Sequence, residues 1–406
     1  MNRASRITHH DSRITHHASR IPYPVSRIPP VFFPFAQTAA SCHPHVMSER
    51  IGILTGGGDC PGLNAVIRAV VKSAAKRGWE TVGFINGFEG LLEPVDFRRL
   101  EYKEMDALLF VGGTILRTSN KGRFAAKTGH GEAAAVPREI LEQAKATFQK
   151  LGLRALVVVG GDGSLSIAQQ LFECGVPLVG VPKTIDNDLE ATAFTFGFDS
   201  AVACATDALD RLRTTAQSHE RVMVLEVMGR YAGWIAAHSG ISGGGDVILI
   251  PEIPFRYESI CATIAERERE GKRFTLIVVA EGAREHGQDY VTAAAAEKNR
   301  EAHLGGIGAV VAAEVQKRTG KETRVCVLGH LQRGGAPTSF DRLLCTRFGA
   351  QAVRLVAEKK YGQMIAIQPP DTVSVKITDA IGRLRTVPPG GEIVQTARAL
   401  GISFGD

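Results

Sequence analysis

The sequence predicts an α/β protein with parallel sheets covered on both faces. Short, nearly continuous apolar strands alternate with helical patterns from Glu49 onward, and glycine clusters stand directly after several of those strands. A length of 406 residues allows two or three domains and a sizeable buried core.

The first unit begins at residues 51–54 (IGIL) and turns through TGGGDCPG. It continues as LNAVIRAVVKSAAKRG, where apolar residues recur at helical spacing and basic residues gather near the C-terminal end. The same strand-loop-helix unit is expected at residues 81–85, at ALLFVGGT after Met105, and at residues 155–159 before GGDGS and the helix SLSIAQQLFECG. Further strands are expected at residues 177–182, 222–227, 247–251, 275–282 and 324–329. In such folds ligands gather at the carboxyl ends of strands.

Composition removes several function classes. With 44% apolar and 22% charged residues the chain has a globular average, and no apolar run approaches the roughly 20 residues that cross a bilayer, so no membrane role is expected. The net charge of +6 is concentrated in residues 1–46, where Arg3, Arg6, Arg13, Arg20 and Arg27 face Asp11 alone; the remainder carries no nucleic-acid footprint. Seven scattered cysteines without a CxxC pair read as reduced thiols in the cytoplasm rather than a zinc site.

Residues 1–46 repeat with a period of seven (SRITHHD, SRITHHA, SRIPYPV, SRIPPVF) and have too few apolar residues and too many prolines to bury a core. This leader is expected to be disordered and without function, translated upstream of a true start at Met47. A transit peptide, a signal peptide and a histidine metal tract fit its composition less well.

Glycine clusters at Gly56-Gly57-Gly58, Gly112-Gly113 and Gly160-Gly161 outline an anion-binding crevice rather than isolated tight turns. The first loop lacks the third glycine of a dinucleotide fingerprint, and GxxxxGK[ST] occurs nowhere, which excludes a P-loop NTPase. Asp162, between glycines at a strand end, suits Mg2+ held directly or through water, while Gly163 and neighbouring amides approach phosphate. In VPKTIDNDL, Asp186 and Asp188 are expected to share one side of an extended segment, and two like charges raise one pKa toward general-base work. Arg221, Arg230, Arg324, His330 and Arg333 form a basic set suited to a multiply anionic substrate.

The motifs TGGGDCPGLN, VGGDGSL, PKTIDNDL, VMGRYAGW and LGHLQRGG, in this order, resemble the phosphofructokinase family from Glu49 to about residue 385. The resemblance implies two similar three-layer α/β domains with mainly parallel sheets and the active site in the cleft between them. It implies a phosphate-donor domain of residues 47–197 plus about 332–382, and a sugar-phosphate domain of residues 198–331 plus the C-terminal tail.

The implied activity is phosphorylation of fructose 6-phosphate at its 1-hydroxyl. Gly57, Gly161, Asp162, Gly163, Ser164 and Lys183 would bind the donor, ATP, with Asp162 on Mg2+. Asp186, after Thr184 and Ile185, would be the base, supported by Asp188 and Thr184. Arg230 would stabilise the migrating phosphoryl group, Met228 and Gly229 would line the sugar site, and Glu281 would bind sugar hydroxyls. Arg221, Arg324, His330 and Arg333, with the intervening Leu331 and Gln332, would surround the 6-phosphate. Arg221 and Arg324 would reach a neighbouring subunit's site in a homodimer or homotetramer.

Two positions speak to the donor. Pyrophosphate-using relatives carry Asp where this chain has Gly163 and Lys where it has Lys183, whereas the common bacterial ATP users carry Gly at both. A carboxylate at position 163 would crowd and repel ATP, so Gly163 outweighs Lys183 and the expected donor is ATP. The rivals are a pyrophosphate-dependent enzyme and a catalytically silent sugar-phosphate-binding subunit; the intact Asp162, Asp186 and Arg230 argue against the latter. On the adenine side, Arg117, Lys121 and Arg123 remain alternatives. Arg68, Lys72 and Arg213 match a basic effector pocket of the family, but Glu270 departs from it.

Overall fold

The β-branched runs and the helices between them build two separate sheets, each with helices against it. This computed structural model describes residues 49–119, 122–124, 135–294 and 303–406, so the leader expectation lies outside the described residues. The first half of the chain contributes β1 (Arg50–Thr55), α1 (Leu63–Ala75), β2 (Glu80–Phe84), β3 (Phe97–Leu100), α2 (Arg138–Lys150), β4 (Leu153–Gly160), α3 (Asp162–Glu173) and β5 (Leu178–Pro182). Next come α4 (Phe198–His219), β6 (Val222–Val227), α5 (Trp234–Ser242), β7 (Val247–Leu249), α6 (Tyr257–Arg269), β8 (Thr275–Ala280), the pair β9 (Thr292–Ala294) and β10 (His303–Leu304), α7 (Ile307–Thr319) and β11 (Thr323–Val327). The chain finishes with α8 (Ser339–Ala357), β12 (Gln363–Gln368), β13 (Asp371–Lys376), α9 (Ile377–Ala380) and α10 (Glu392–Ala399).

One sheet has seven strands in the order β13-β12-β5-β4-β1-β2-β3, and the other has four in the order β11-β6-β8-β7. Within these two sheets all pairings are parallel except β3 on β2 and β13 on β12, and β9 and β10 form a separate antiparallel pair. The central strands β1, β4, β5, β6 and β8 are buried almost throughout, as parallel strands covered on both faces must be.

The sequence expectation fails at ALLFVGGT. Residues 102–110 form 3-10 turns against α1, with only Met105 buried and Phe110 52% exposed. The carbonyls of Val111 and Gly112, which a strand would offer to a neighbour, instead accept from the Asn64 side-chain amide at 3.1 Å each. Gly112-Gly113 therefore do not follow a strand, and the short basic strand β3 takes the sheet edge.

A carboxylate from one helix caps another. Gly197 has no side chain to satisfy the first amides of α4; Asp341, buried near the start of α8, accepts from Gly197 N (3.1 Å), Ser200 N (2.9 Å) and Ser200 Oγ (2.6 Å). Burial pushes its carboxyl up to about 6. An unfolded Asp titrates near 3.9, so folding takes up a proton between these values, and this group's contribution is full below pH ~4 and declines as pH rises through ~6. Asp341→Ala should lower stability by about 2–4 kcal/mol and remove that pH-dependent component, read as Tm by calorimetry between pH 4 and 7.

Candidate active site

The residues expected to bind the donor gather where β1 and β4 end. Gly57 adopts φ 77°, a left-handed conformation that L side chains rarely take. A Cβ there would point at Ser164 Oγ (3.3 Å) and Lys183 Nζ (3.6 Å), so its bare face looks across to the start of α3 and to the lysine. Asp162, Gly163 and Ser164 form the first turn of α3 behind Gly161, where helix amides are unpaired by the helix itself. Lys183 follows β5, is buried, and donates from Nζ to Gly58 O at 2.6 Å. Asp162 is buried as well, with Oδ1 accepting from Gly382 N at 3.1 Å.

Thr118 Oγ1 donates to Gly57 O (2.5 Å) and Thr55 Oγ1 donates to Arg117 O (2.8 Å), which docks residues 117–118 beside the loop. Arg123 is instead turned to Glu89, with Nε 3.1 Å from Oε2. Lys121 lies outside the described residues.

Residues 184–188 form a pinned turn rather than the extended segment expected. Asn187 has a left-handed backbone at φ 51°, which Asn tolerates better than most residues. Its Oδ1 accepts from Thr195 N (3.0 Å), Thr195 Oγ1 also donates to Thr184 O (2.8 Å), and Asp186 N donates to Thr184 Oγ1 (3.1 Å). Ile185 and Asn187 are buried, Thr184, Asp186 and Asp188 are partly exposed, and the Asp186 Oδ1 atom is itself buried.

The residues expected on the sugar side follow β6 and β8. Met228, Gly229 and Arg230 leave the end of β6, and Glu281 leaves the end of β8, its N–H donating to Val227 O at 2.9 Å. Gly282 packs so tightly on this loop that a Cβ would fall 1.9 Å from Arg230 O. Burial pushes the Glu281 carboxyl up, opposed by Arg230 and Arg333. Gln332 is fully buried and its Oε1 accepts from Met228 N at 3.4 Å, whereas His330 and Leu331 are exposed.

Arg333 joins the two sides, its Nη1 donating to Asp59 O at 2.9 Å in the loop after β1. Burial lowers the Lys183 pKa; the Arg333 charge acts the same way and Asp188 and Asp186 oppose it.

Arg221 and Arg324 do not join this constellation within the chain. Both lie at the amino ends of their strands, whereas Arg230 lies beyond the carboxyl end of β6. Six strand residues separate those ends by roughly 20 Å. Both arginines pair with Glu322, Arg221 Nε at 2.8 Å from Oε2. Of the effector-pocket residues, Arg213 donates to the carbonyls of Gly243 (3.1 Å) and Gly244 (2.6 Å), Lys72 pairs with Asp106, and Glu270 pairs with Lys272.

The donor set fits Mg2+ in the mode that ion prefers. Among the described residues no group of three His, Cys, Asp or Glu could cage a metal. Mg2+ keeps several waters and takes one or two carboxylates plus substrate phosphates, which a lone Asp162 beside an anion-binding helix start can serve.

The sequence profile of the phosphofructokinase family matches residues 50–356. The chain belongs to the phosphofructokinase family. Similar members include a protein from Chloroflexus aurantiacus named ATP-dependent 6-phosphofructokinase, 53% identical over 358 residues that cover 88% of this chain and 98% of that one. Another, from Amycolatopsis methanolica, is named pyrophosphate–fructose 6-phosphate 1-phosphotransferase and is 49% identical over 343 residues, covering 84% and 96%. Among solved structures, Pichia pastoris phosphofructokinase in the T-state superposes with a TM-score of 0.71 at 32% identity; the match covers 82% of this chain and only 35% of that longer one. A pyrophosphate-dependent phosphofructokinase from Marinobacter aquaeolei shares the fold, with a TM-score of 0.73 at 20% identity and coverage of 87% and 92%.

Three residues of this family member escaped the sequence reading. Glu226, the lone charge in VMVLEV, is buried and accepts from Gly306 N (3.1 Å) and Gly308 N (2.8 Å) at the start of α7. A charge inside an apolar strand was the signal for it. Glu252 accepts from Gly233 N (2.9 Å) and Val387 N (2.7 Å), and Arg385 bonds to the turn after Asp186; neither stands in a motif.

Proposed function

We propose that this chain transfers the terminal phosphoryl group of ATP to the 1-hydroxyl of fructose 6-phosphate, giving fructose 1,6-bisphosphate and ADP, as a cytoplasmic enzyme of glycolysis. The observation that carries the reading is the position of Arg333, whose Nη1 bonds to Asp59 O in the loop after β1 while the adjoining Gln332 accepts from Met228 N after β6. The Chloroflexus relative named for ATP supports the donor, and so does Gly163, which leaves the start of α3 open to nucleotide phosphates. Lys183 favours pyrophosphate as a second reading, as does the Amycolatopsis relative.

The residues divide the work as phosphoryl transfer requires, by positioning and by neutralising spread negative charge. Gly57, Gly161, Gly163 and Ser164 present backbone and hydroxyl donors to the phosphates, and Lys183 adds a cation beneath them. Asp186 takes the proton from the 1-hydroxyl as that oxygen bonds to the terminal phosphorus and the bond to the ADP oxygen breaks; Asp188 and Thr184 fix its turn. Arg230 faces the migrating group. Met228, Gly229 and Glu281 orient the sugar, and Ile185 packs beneath the base turn. His330 and Arg333 meet the 6-phosphate, with Gln332 anchoring their turn and Leu331 at its exposed edge. Asp162 would hold Mg2+, which when bound neutralises charge on the donor phosphates.

Sheet membership supports the division into a donor domain of residues 47–197 plus about 332–382 and a sugar-phosphate domain of residues 198–331 plus the tail. Self-association is part of the reading, as a homodimer or homotetramer. Arg324 lies on β11, an outer strand whose Val325 and Val327 are 41% and 53% exposed. In this reading Arg324, on β11, and Arg221, just before the neighbouring β6, would reach a second copy's 6-phosphate site.

One preparation tests both parts. The full chain, assayed with fructose 6-phosphate, Mg2+ and either ATP or pyrophosphate, should turn over with ATP at the higher kcat/KM and sediment as a dimer or larger. Turnover with pyrophosphate alone would replace the donor, and an active monomer would remove the shared site.

A further inference from the structure

After α9, residues 382–387 bond to Asp162, to the turn that follows Asp186 and to Trp234, four residues after Arg230. Gly382 N donates to Asp162 Oδ1 (3.1 Å). Leu384 makes an antiparallel bridge with Leu189. Arg385 N donates to Asp188 O (2.9 Å), and Arg385 O accepts from Trp234 Nε1 (3.0 Å), four residues after Arg230. Val387 N donates to the Glu252 carboxylate that also receives Gly233 N.

The Arg385 side chain is the centre of this crossing. Its Nη1 donates to Ala193 O at 2.9 Å and approaches Asn187 O at 3.5 Å, and its guanidinium lies 4.5 Å from the centre of the Trp234 ring. The carbonyls of Asn187 and Asp188 flank the Asp188 Cα, so fixing both fixes the peptide planes around that residue and limits rotation of the left-handed Asn187 beside Asp186. A planar guanidinium stacked on an aromatic face keeps Nη1 oriented toward both carbonyls, whereas a lysine ammonium has no plane to stack.

We infer that Arg385 is a positioning residue for phosphoryl transfer: it clamps the 187–193 turn against Trp234 and so holds Asp186 in register with Arg230. This rests on the assignment of Asp186 as the base under the proposed function. Misplacing a reacting group by about 1 Å costs on the order of a hundredfold in rate.

The test is a double-mutant cycle on the full-length enzyme, with Arg385→Met, which keeps the length of the stem, made in the native and in the Asp186→Ser background. In the native background kcat should fall by roughly ten- to a hundredfold while the Kd for fructose 6-phosphate, measured by calorimetry, changes by less than about threefold. In the Asp186→Ser background the further loss should be under about twofold, because a residue acting through Asp186 has nothing left to position. Arg385→Lys, which keeps charge and packing, should show the same pattern at smaller amplitude and serves if the Met variant does not fold. An equal fold-loss in both backgrounds, or none in the native one, overturns the inference. Full turnover by Asp186→Ser alone removes the base assignment, and the Arg385 role with it; this is seen before any Arg385 variant is read.

Discussion

Asp186→Ser should reduce kcat by about two to four orders of magnitude, the range a positioned general base supplies. Binding of fructose 6-phosphate should change little. Asp186 N already donates to Thr184 Oγ1, and the turn around it is pinned independently through Asn187, Thr195 and Thr184. The shorter serine therefore enters an intact frame, and the loss should appear in single-turnover phosphoryl transfer rather than in KM. Undiminished turnover in this variant would show that the proton leaves by another route.

Gly163→Asp should cut kcat/KM for ATP by about two orders of magnitude while affecting pyrophosphate-supported turnover less, measured side by side under one Mg2+ concentration. Gly163 is the second residue of α3, where a carboxylate is favourable to the helix and glycine is not. The variant should therefore fold at least as well as the parent, so a lost ATP reaction reports the donor site and not the scaffold. The new charge would stand among amides meant for phosphate oxygens and would crowd a nucleotide. ATP kinetics equal to the parent's would discredit steric and electrostatic selection at this position.

Legibility from sequence followed burial. The central strands β1, β4, β5, β6 and β8 were readable because they are buried on both faces and hence almost wholly apolar. The outer strands β3 (FRRL) and β13 (DTVSVK) were not, because exposure at an edge permits polar side chains; β13 has no buried residue. ALLFVGGT misled in the other direction, since its apolar residues pack on α1 or face outward rather than entering a sheet.

The motif residues Gly57, Asp162, Lys183, Asp186, Arg230 and Glu281 each stand at or near the carboxyl end of a strand. They gave no hint of Arg385, whose partners lie 192 and 198 residues away along the chain. Arg221 and Arg324, which the resemblance assigns to a neighbouring subunit's site, lie at the amino ends of their strands, whereas Arg333 meets the loop after β1.

The seven-stranded sheet is completed only by a late return of the chain. β5 gains its outer neighbour from β12, which begins 181 residues after β5 ends, with the whole four-stranded sheet encoded in between. During synthesis on the ribosome, the nascent polypeptide must therefore carry β5 as an open edge until nearly the entire message has been translated. Neither half can be released as a finished piece: a transcript truncated before β12 would yield an unclosed, adhesive sheet, and quality control would meet the chain as all or nothing.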